Sequence, residues 1–240
     1  MTRLLIPLAV AAALLVFPGA ALADSPFDPA HADEIAHRVL LQPSDLPGDG
    51  WNQHDVALDT SLVDVAVPDT EACSKSLGPM LDAAKKHPDG TIAGQAAEAL
   101  SHGGGLLSIP TEVTLQVDVH EDDEYLGDAM ARTRDMLAGP DLSTCLGDVF
   151  GKTLGGAFKP SVKDVQPGAS APNDGIARAV EISLGSGLVS VSVRMELYVW
   201  TYGNAVVQAS VIGAGDNLNA DLANAVVSGM QAKLDYEAGP

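Results

Sequence analysis

The sequence predicts an α+β fold, an antiparallel β-sheet flanked by amphipathic helices and preceded by a cleaved signal peptide. Three features carry that expectation. Residues 112–120 alternate apolar and polar side chains, as a strand with one buried face does. Three more strand-like runs after residue 176 are separated by glycine-rich turns, which is a hairpin order rather than a βαβ order. Helical periodicity follows both groups, at 126–137 and 217–234.

The chain opens with Arg3, an apolar run from Leu4 to Val16, the breakers Pro18 and Gly19, and a small-x-small site at Ala21-Leu22-Ala23. That order is a secretory leader cleaved after Ala23, and its apolar core is too short to span a bilayer comfortably. No cysteine stands at the junction, so a lipid anchor is not expected. The mature part is 217 residues (240 minus 23), read as one sensor-like domain over 24–240 with a loop at about 160–175. Its expected location is the cell envelope or the extracellular space.

From there the elements follow in order. A first helix runs from about His31 to Leu41, with Ile35, Val39 and Leu40 as its partial apolar stripe. The breaker cluster Pro43 to Gly50 ends it, and Trp51 begins or anchors a strand. Thr70 to Ala84 forms the next helix, carrying Cys73, Leu77, Met80 and Leu81 near one face. Strand 112–120 leads through the acids Glu121 to Glu124 into a helix with Leu126, Ala129, Met130, Thr133 and Leu137 inward. Gly139-Pro140 closes that helix, and Asp141 to Leu154 forms another with Cys145 in its first turns. Pro160 to Gly175 is rich in Pro, Gly, Ser and Asp and reads as a linker. Strands follow at Ala177–Leu184, Leu188–Trp200 and Asn204–Ile212, with turns at 185–187 and 202–204. The last helix, 217–234, is capped by Asp216 and aligns Leu218, Leu222, Val226, Met230 and Leu234. A strand, polar turn and helix thus occur twice, at 112–138 and 204–235, without a residue-level repeat.

Charge limits the partners. Loss of Arg3 with the leader leaves 12 Lys+Arg against 32 Asp+Glu, a net charge of −20. Such a chain repels nucleic acid and anionic membranes. Cys73 and Cys145 are the only cysteines, and an even pair in an exported chain reads as a disulfide, with two buried thiols as the alternative. Closing a loop of 72 residues (145 minus 73) stabilises by roughly 4 kcal/mol in the chain-entropy model.

Motifs for catalysis are weak. Gly213-Ala214-Gly215 has Leu218 where a dinucleotide fingerprint needs its third glycine. Gly151-Lys152-Thr153 has Leu146 where a phosphate loop needs its first. His120 beside the acids 121–124 offers a cation site or a pH switch, or else a solvated helix start. The six histidines are dispersed, and no Gly-x-Ser-x-Gly elbow is present. Two acids such as Asp55 and Asp118 have the means to pair in space, as any of 32 acids does. No catalytic residue, metal or cofactor is assigned. Four aromatic residues stand out in an aromatic-poor chain: Trp51, Tyr198, Trp200 and Tyr202. The last three alternate along one strand and share a face. That face either lines a groove for a ligand or forms ordinary core under a helix.

The segment Leu40-Leu41-Gln42-Pro43-Ser44-Asp45-Leu46-Pro47-Gly48-Asp49-Gly50-Trp51 resembles the opening of many small exported actinobacterial proteins. A strand of the Val113-to-Val119 type, an Ala-rich helix and a helix-borne cysteine, Cys145, extend the likeness over about 35–235. The group resembles the extracellular sensor domain of the mycobacterial kinase PknH and the LpqN-like secreted proteins. The resemblance implies a helix-flanked antiparallel sheet with a cleft, and a ligand-binding or sensing role without a catalytic motif. This chain departs from it in having no kinase domain, membrane span or lipid-attachment cysteine, and fewer cysteines than the kinase sensor. The function expected is therefore exported and non-enzymatic, binding a small molecule, lipid or envelope protein. The alternatives are an envelope interaction module without a small ligand, or a hydrolase. Protein recovered from culture medium should begin at Asp24 and show no free thiol when denatured without reductant. A mass retaining residues 1–23, or two titratable thiols, would contradict this.

Overall fold

The computed structural model describes residues 26–56, 70–86, 92–103, 109–121, 126–153, 160–186, 189–214, 218 and 220–239. Among them, seven strands form one antiparallel sheet, in the order β1-β2-β3-β7-β6-β5-β4. The strands are β1 Trp51–Asp55, β2 Ile92–His102, β3 Thr111–His120, β4 Ser161–Val165, β5 Ile176–Ser186, β6 Val189–Tyr202 and β7 Ala205–Ala214. Two meanders, β1-β2-β3 and β4-β5-β6-β7, are thus fused along the β3–β7 pair, where Val117 faces Val207 and Gln116 faces Gln208. The expected α+β architecture is present. The helices are α1 Ala32–Val39, α2 Glu71–Lys86, α3 Leu126–Ala138, α4 Asp141–Thr153 and α5 Ala220–Ala238.

Helices cover both faces of the sheet. On the first face, α1 buries Ile35, Ala36 and Val39, and α5 buries Leu222, Val226, Met230 and Leu234. They meet Val113, Leu115, Val117 and Val119 of β3 and Val207, Ala209 and Val211 of β7. The first helix has Asp33 and Glu34 in its first turn and His37 and Arg38 in its last, the charge order its dipole favours. It lies so close on β2 that a Cβ at Gly94 would overlap the backbone of Ala32 and Asp33. Asp33 also accepts from the Gln95 amide at 3.1 Å, beside the bulge that shifts the β2–β3 register.

On the second face, α3 sets Leu126, Ala129, Met130 and Leu137 against Ile176, Leu197, Val199 and Val206. A disulfide joins Cys73 of α2 to Cys145 of α4, with Cα atoms 4.6 Å apart. Arg178 of β5 anchors this layer by donating to Asp164, the Gly139 carbonyl and the Ser143 hydroxyl. The two strand–helix units noted in the sequence send their helices to opposite faces, β3 to α3 and β7 to α5.

Two strands differ from expectation. β2, Ile-Ala-Gly-Gln-Ala-Ala-Glu-Ala-Leu-Ser-His, lacks β-branched residues after Ile92 and has little strand propensity of its own. Its pairing with β1 and β3, and the burial of Ala96 and Leu100, impose the conformation. β4 occupies 161–165, inside the segment read as a loop at about 160–175; it is a short edge strand with largely exposed side chains. The leader at 1–23, the Asp216 cap and the Gly187 turn position lie outside the described residues.

The β6–β7 hairpin turns at Gly203, whose φ of +55° suits the first central position of a two-residue loop. Asn204 beside it is buried and accepts from the Phe27 amide, while its own amide donates to the Phe27 and His120 carbonyls. It thereby ties the N-terminal segment, β3 and the hairpin together. Asn204→Ala removes three hydrogen bonds and orphans buried backbone groups, so stability should fall by about 3 kcal/mol. Urea denaturation measures it, and a loss under about 1 kcal/mol would mean that water replaces the side chain.

Candidate functional site

The aromatic row comes first, because the sequence marks it most clearly. Tyr198 faces Ala209, Trp200 faces Val207 and Tyr202 faces Ala205, so the three do share one face. That face is the covered one. Tyr198 and Trp200 are both 0% exposed in the α1/α5 core, while Tyr202 is half-buried with its ring 5.7 Å from Phe27. Of the two readings of this face, groove or core, burial supports core at Tyr198 and Trp200, and the small residues Ala205 and Ala209 opposite the row make room for the rings. Trp51 is not part of the row. It lies on edge strand β1, donates its indole N–H to the Pro47 carbonyl at 3.0 Å and stacks 5.1 Å from His102.

The Tyr198 hydroxyl is committed as well. It donates to Glu196 and accepts from the Ala169 amide at 3.1 Å. Glu196 also accepts from the Gly168 amide and from Arg194, whose guanidinium reaches the Gln166 carbonyl. Burial, then the adjacent Glu196, holds the Tyr198 phenol above its ordinary range. These contacts fasten residues 166–169 to the sheet.

The remaining sequence candidates do not assemble. Gly151-Lys152-Thr153 is the last turn of α4, not a loop after a strand. Gly213 and Ala214 end β7, and Gly215 lies outside the described residues. Asp55 shares the first face with its register partner Glu98, whereas Asp118 belongs to the second, so the two acids stand on opposite sides of the sheet. His120 is buried at the end of β3, and burial lowers its imidazole to about 4. Of the acids beside it, Asp122, Asp123 and Glu124 lie outside the described residues. Among the described residues no group of three or more His, Cys, Asp or Glu could hold a metal ion. Nor, among them, is any helix long and apolar enough to cross a membrane.

What the structure does gather is a polar tract on the second face. Register places Gln95 opposite Asp118, Gln116 opposite Gln208, and Thr114 opposite Ser210. These six side chains of β2, β3 and β7 point to one side, flanked on β2 by the small residues Ala97 and Ala99. Val206, the other neighbour of Asp118, packs under α3, so the helical layer rises directly beside the tract. Gln95, Thr114 and Gln116 are half-exposed, while Asp118, at 0%, and Gln208, at 3%, lie buried. An apolar wall with a few placed polar groups below it is the usual composition of a small-molecule site.

At the centre of the tract is an unusual carboxylate. Asp118 accepts from Gln95 Nε2 at 3.0 Å and from Gln116 Nε2 at 2.9 Å, the latter touching both oxygens. Burial raises its pKa to about 6, and the two amide donors oppose that rise without cancelling it. Gln208 Nε2 is buried and has no hydrogen-bond partner. An unpaired buried polar atom costs free energy, and on the first face Glu98 Oε1 and Trp200 Nε1 stand in the same position. The sequence signal for these residues was present but reads ambiguously. Gln208 and Ser210 interrupt the Val/Ala run of β7, and the polar positions of β3 suit a solvated face equally well.

No family model matches the chain, and no curated protein matches it. Among solved structures, the extracellular domain of PknH from Mycobacterium tuberculosis matches with TM-score 0.39 and 10% identity. It covers 85% of this chain and 95% of that one. LpqN, involved in cell envelope biogenesis of Mycobacterium tuberculosis, matches with TM-score 0.27 and 13% identity, covering 55% of this chain and 68% of its own. These are the two proteins named by the resemblance that the Leu40-to-Trp51 segment carries.

Two measurements test this arrangement. Trp200→Ala should cost roughly 3–5 kcal/mol of stability, as an emptied core site does. A fully stable variant would return Trp200 to the list of surface groups. The second concerns pH. The raised Asp118 favours the folded state fully below its unfolded value of 3.8, and that support is lost as pH rises through about 6. His120 acts in the opposite sense, its support being full above 6.5 and lost as pH falls through about 4. Asp118→Asn keeps an acceptor for both glutamines and removes the first effect alone. Its stability relative to the parent should therefore grow by on the order of 3 kcal/mol between pH 4 and pH 7. A pH-independent difference in urea midpoints would show that Asp118 titrates normally.

Proposed function

We propose that residues 24–240 act as one exported, non-enzymatic, sensor-like domain of the cell envelope or extracellular space. It binds a small molecule on the tract of Gln95, Gln116, Asp118 and Gln208. The observation that carries this reading is the juxtaposition of the buried polar side chains Asp118, Gln208 and Ser210 on the second face at the β3–β7 seam. Placing Gln208 and Asp118 there costs stability that Leu and Val would not, and such local conflicts concentrate at functional sites. The carboxylate of Asp118 is occupied by amide donors on both oxygens, which suits holding a recognition surface rather than abstracting a proton. Export is supported by the leader-like residues 1–23 and by the Cys73–Cys145 bond, which persists in oxidising compartments. The acidic composition excludes nucleic acid as the partner.

Native mass spectrometry on protein recovered from its own culture medium tests the reading. A reproducible adduct, lost on denaturation and lost from the Gln116→Leu variant, is the expected result. Gln116→Leu removes two of the three amide contacts to buried Asp118, so its melting temperature should fall by several degrees, and the adduct is compared well below that transition. An adduct that survives in Gln116→Leu moves the site elsewhere. A bare mass in the parent transfers the weight to an envelope protein partner.

A further inference from the structure

We infer that the tract on β2, β3 and β7 recognises a neutral, hydroxyl-rich ligand of carbohydrate type. This rests on the reading above that the tract is a binding surface, and it deepens that reading from the donor and acceptor chemistry. The orientation of a glutamine amide is ordinarily ambiguous, but here a carboxylate settles it. Gln95 and Gln116 both turn their NH2 groups onto Asp118, since an amide oxygen there would face a carboxylate with no proton between them. Their Oε1 atoms are consequently the acceptors left for a ligand, on half-exposed side chains. Below them, Gln208 Nε2 is a buried donor without a partner. Thr114 and Ser210 add hydroxyls that donate or accept.

This set discriminates among ligand classes. An anion would require cationic donors, yet the tract carries none among its described positions and surrounds a carboxylate within a chain of net charge −19. A cation would require free carboxylate oxygens, and those of Asp118 are taken by three amide contacts. An alkyl chain would leave the two outward oxygens and the buried Gln208 donor unsatisfied, at a cost a hydroxyl group avoids. A polyol meets each need: its hydroxyl hydrogens go to Gln95 and Gln116, and one hydroxyl oxygen accepts from Gln208. Ala97 and Ala99 flank these groups on β2 with small side chains.

The test follows the side-chain NH2 signals of Gln95, Gln116 and Gln208 by 15N NMR on the mature protein. Glucose, arabinose and myo-inositol serve as neutral probes, with glucose 6-phosphate and dodecanoate as the charged and alkyl probes. The expected result is a saturable shift of the Gln208 signal with at least one neutral polyol, weakened tenfold or more in Gln116→Leu. Shifts produced by dodecanoate or by the phosphate alone overturn the ligand class while leaving a binding surface in place. No shift from any probe overturns the polyol assignment. If the native adduct also survives in Gln116→Leu, the binding surface itself is lost. A polyol shift undiminished in Gln116→Leu removes that residue's oxygen from the contact and overturns the donor–acceptor scheme.

Discussion

The pairing of β3 with β7 is the contact on which the rest of the molecule depends. It is the seam between two meanders that are each continuous in sequence, and it brings together strands separated by two helices and three other strands. Because helices sit on both faces, β7 is buried along nearly its whole length. A strand in that position is expected to be apolar on both sides. The Val and Ala residues of β7 meet this demand on the first face, and Val206 and Ile212 meet it on the second. Gln208 and Ser210 are the exceptions. They sit beside Gln116 and Thr114, so the departure from the rule is concentrated at the seam itself.

Long, strongly periodic elements were legible in the sequence. The apolar stripe of α5 and the alternation of β3 each encode a period that only one kind of element satisfies. The hairpin at Gly203-Asn204 carries its own turn chemistry. β2 was illegible because alanine is a weak strand former, and what makes the segment a strand is the company of β1 and β3 rather than its own residues. β4 was masked by the Pro, Gly and Asp residues around it. The site was legible only in part. Alternation shows that Thr114, Gln116 and Asp118 share a face, but not that Gln95 and Gln208 lie beside them, since that depends on register across three strands. The aromatic row illustrates the converse. Its shared face is encoded locally, whereas its burial depends on α5, which lies after it in the chain.

The two faces are held by different means. The second relies on covalent and ionic ties: the disulfide between α2 and α4, and Arg178 bridging β5 to Asp164, Ser143 and Gly139. The first relies on hydrophobic burial under α1 and α5, supplemented by the Glu196–Tyr198 clasp on residues 166–169. Gly168 belongs to that clasp by geometry. A Cβ there would meet Ala223, the Glu196 carboxylate and Ala220 at 3.0–3.2 Å, so a larger residue would push the start of α5 or the Glu196 side chain aside by a few tenths of an ångström. A segment whose composition reads as a linker is thereby built into the core.

The helices nearest the two ends of the described chain share one side of the molecule. Arg38 near the close of α1 pairs with Glu237 near the close of α5 at 2.9 Å, and Lys233 reaches the Leu40 carbonyl and Asp45. The polar tract lies across the full thickness of the sheet from them. An attachment made beyond α5 therefore starts from the layer on the other side of the sheet from the tract, and leaves the glutamine-lined side away from its anchor.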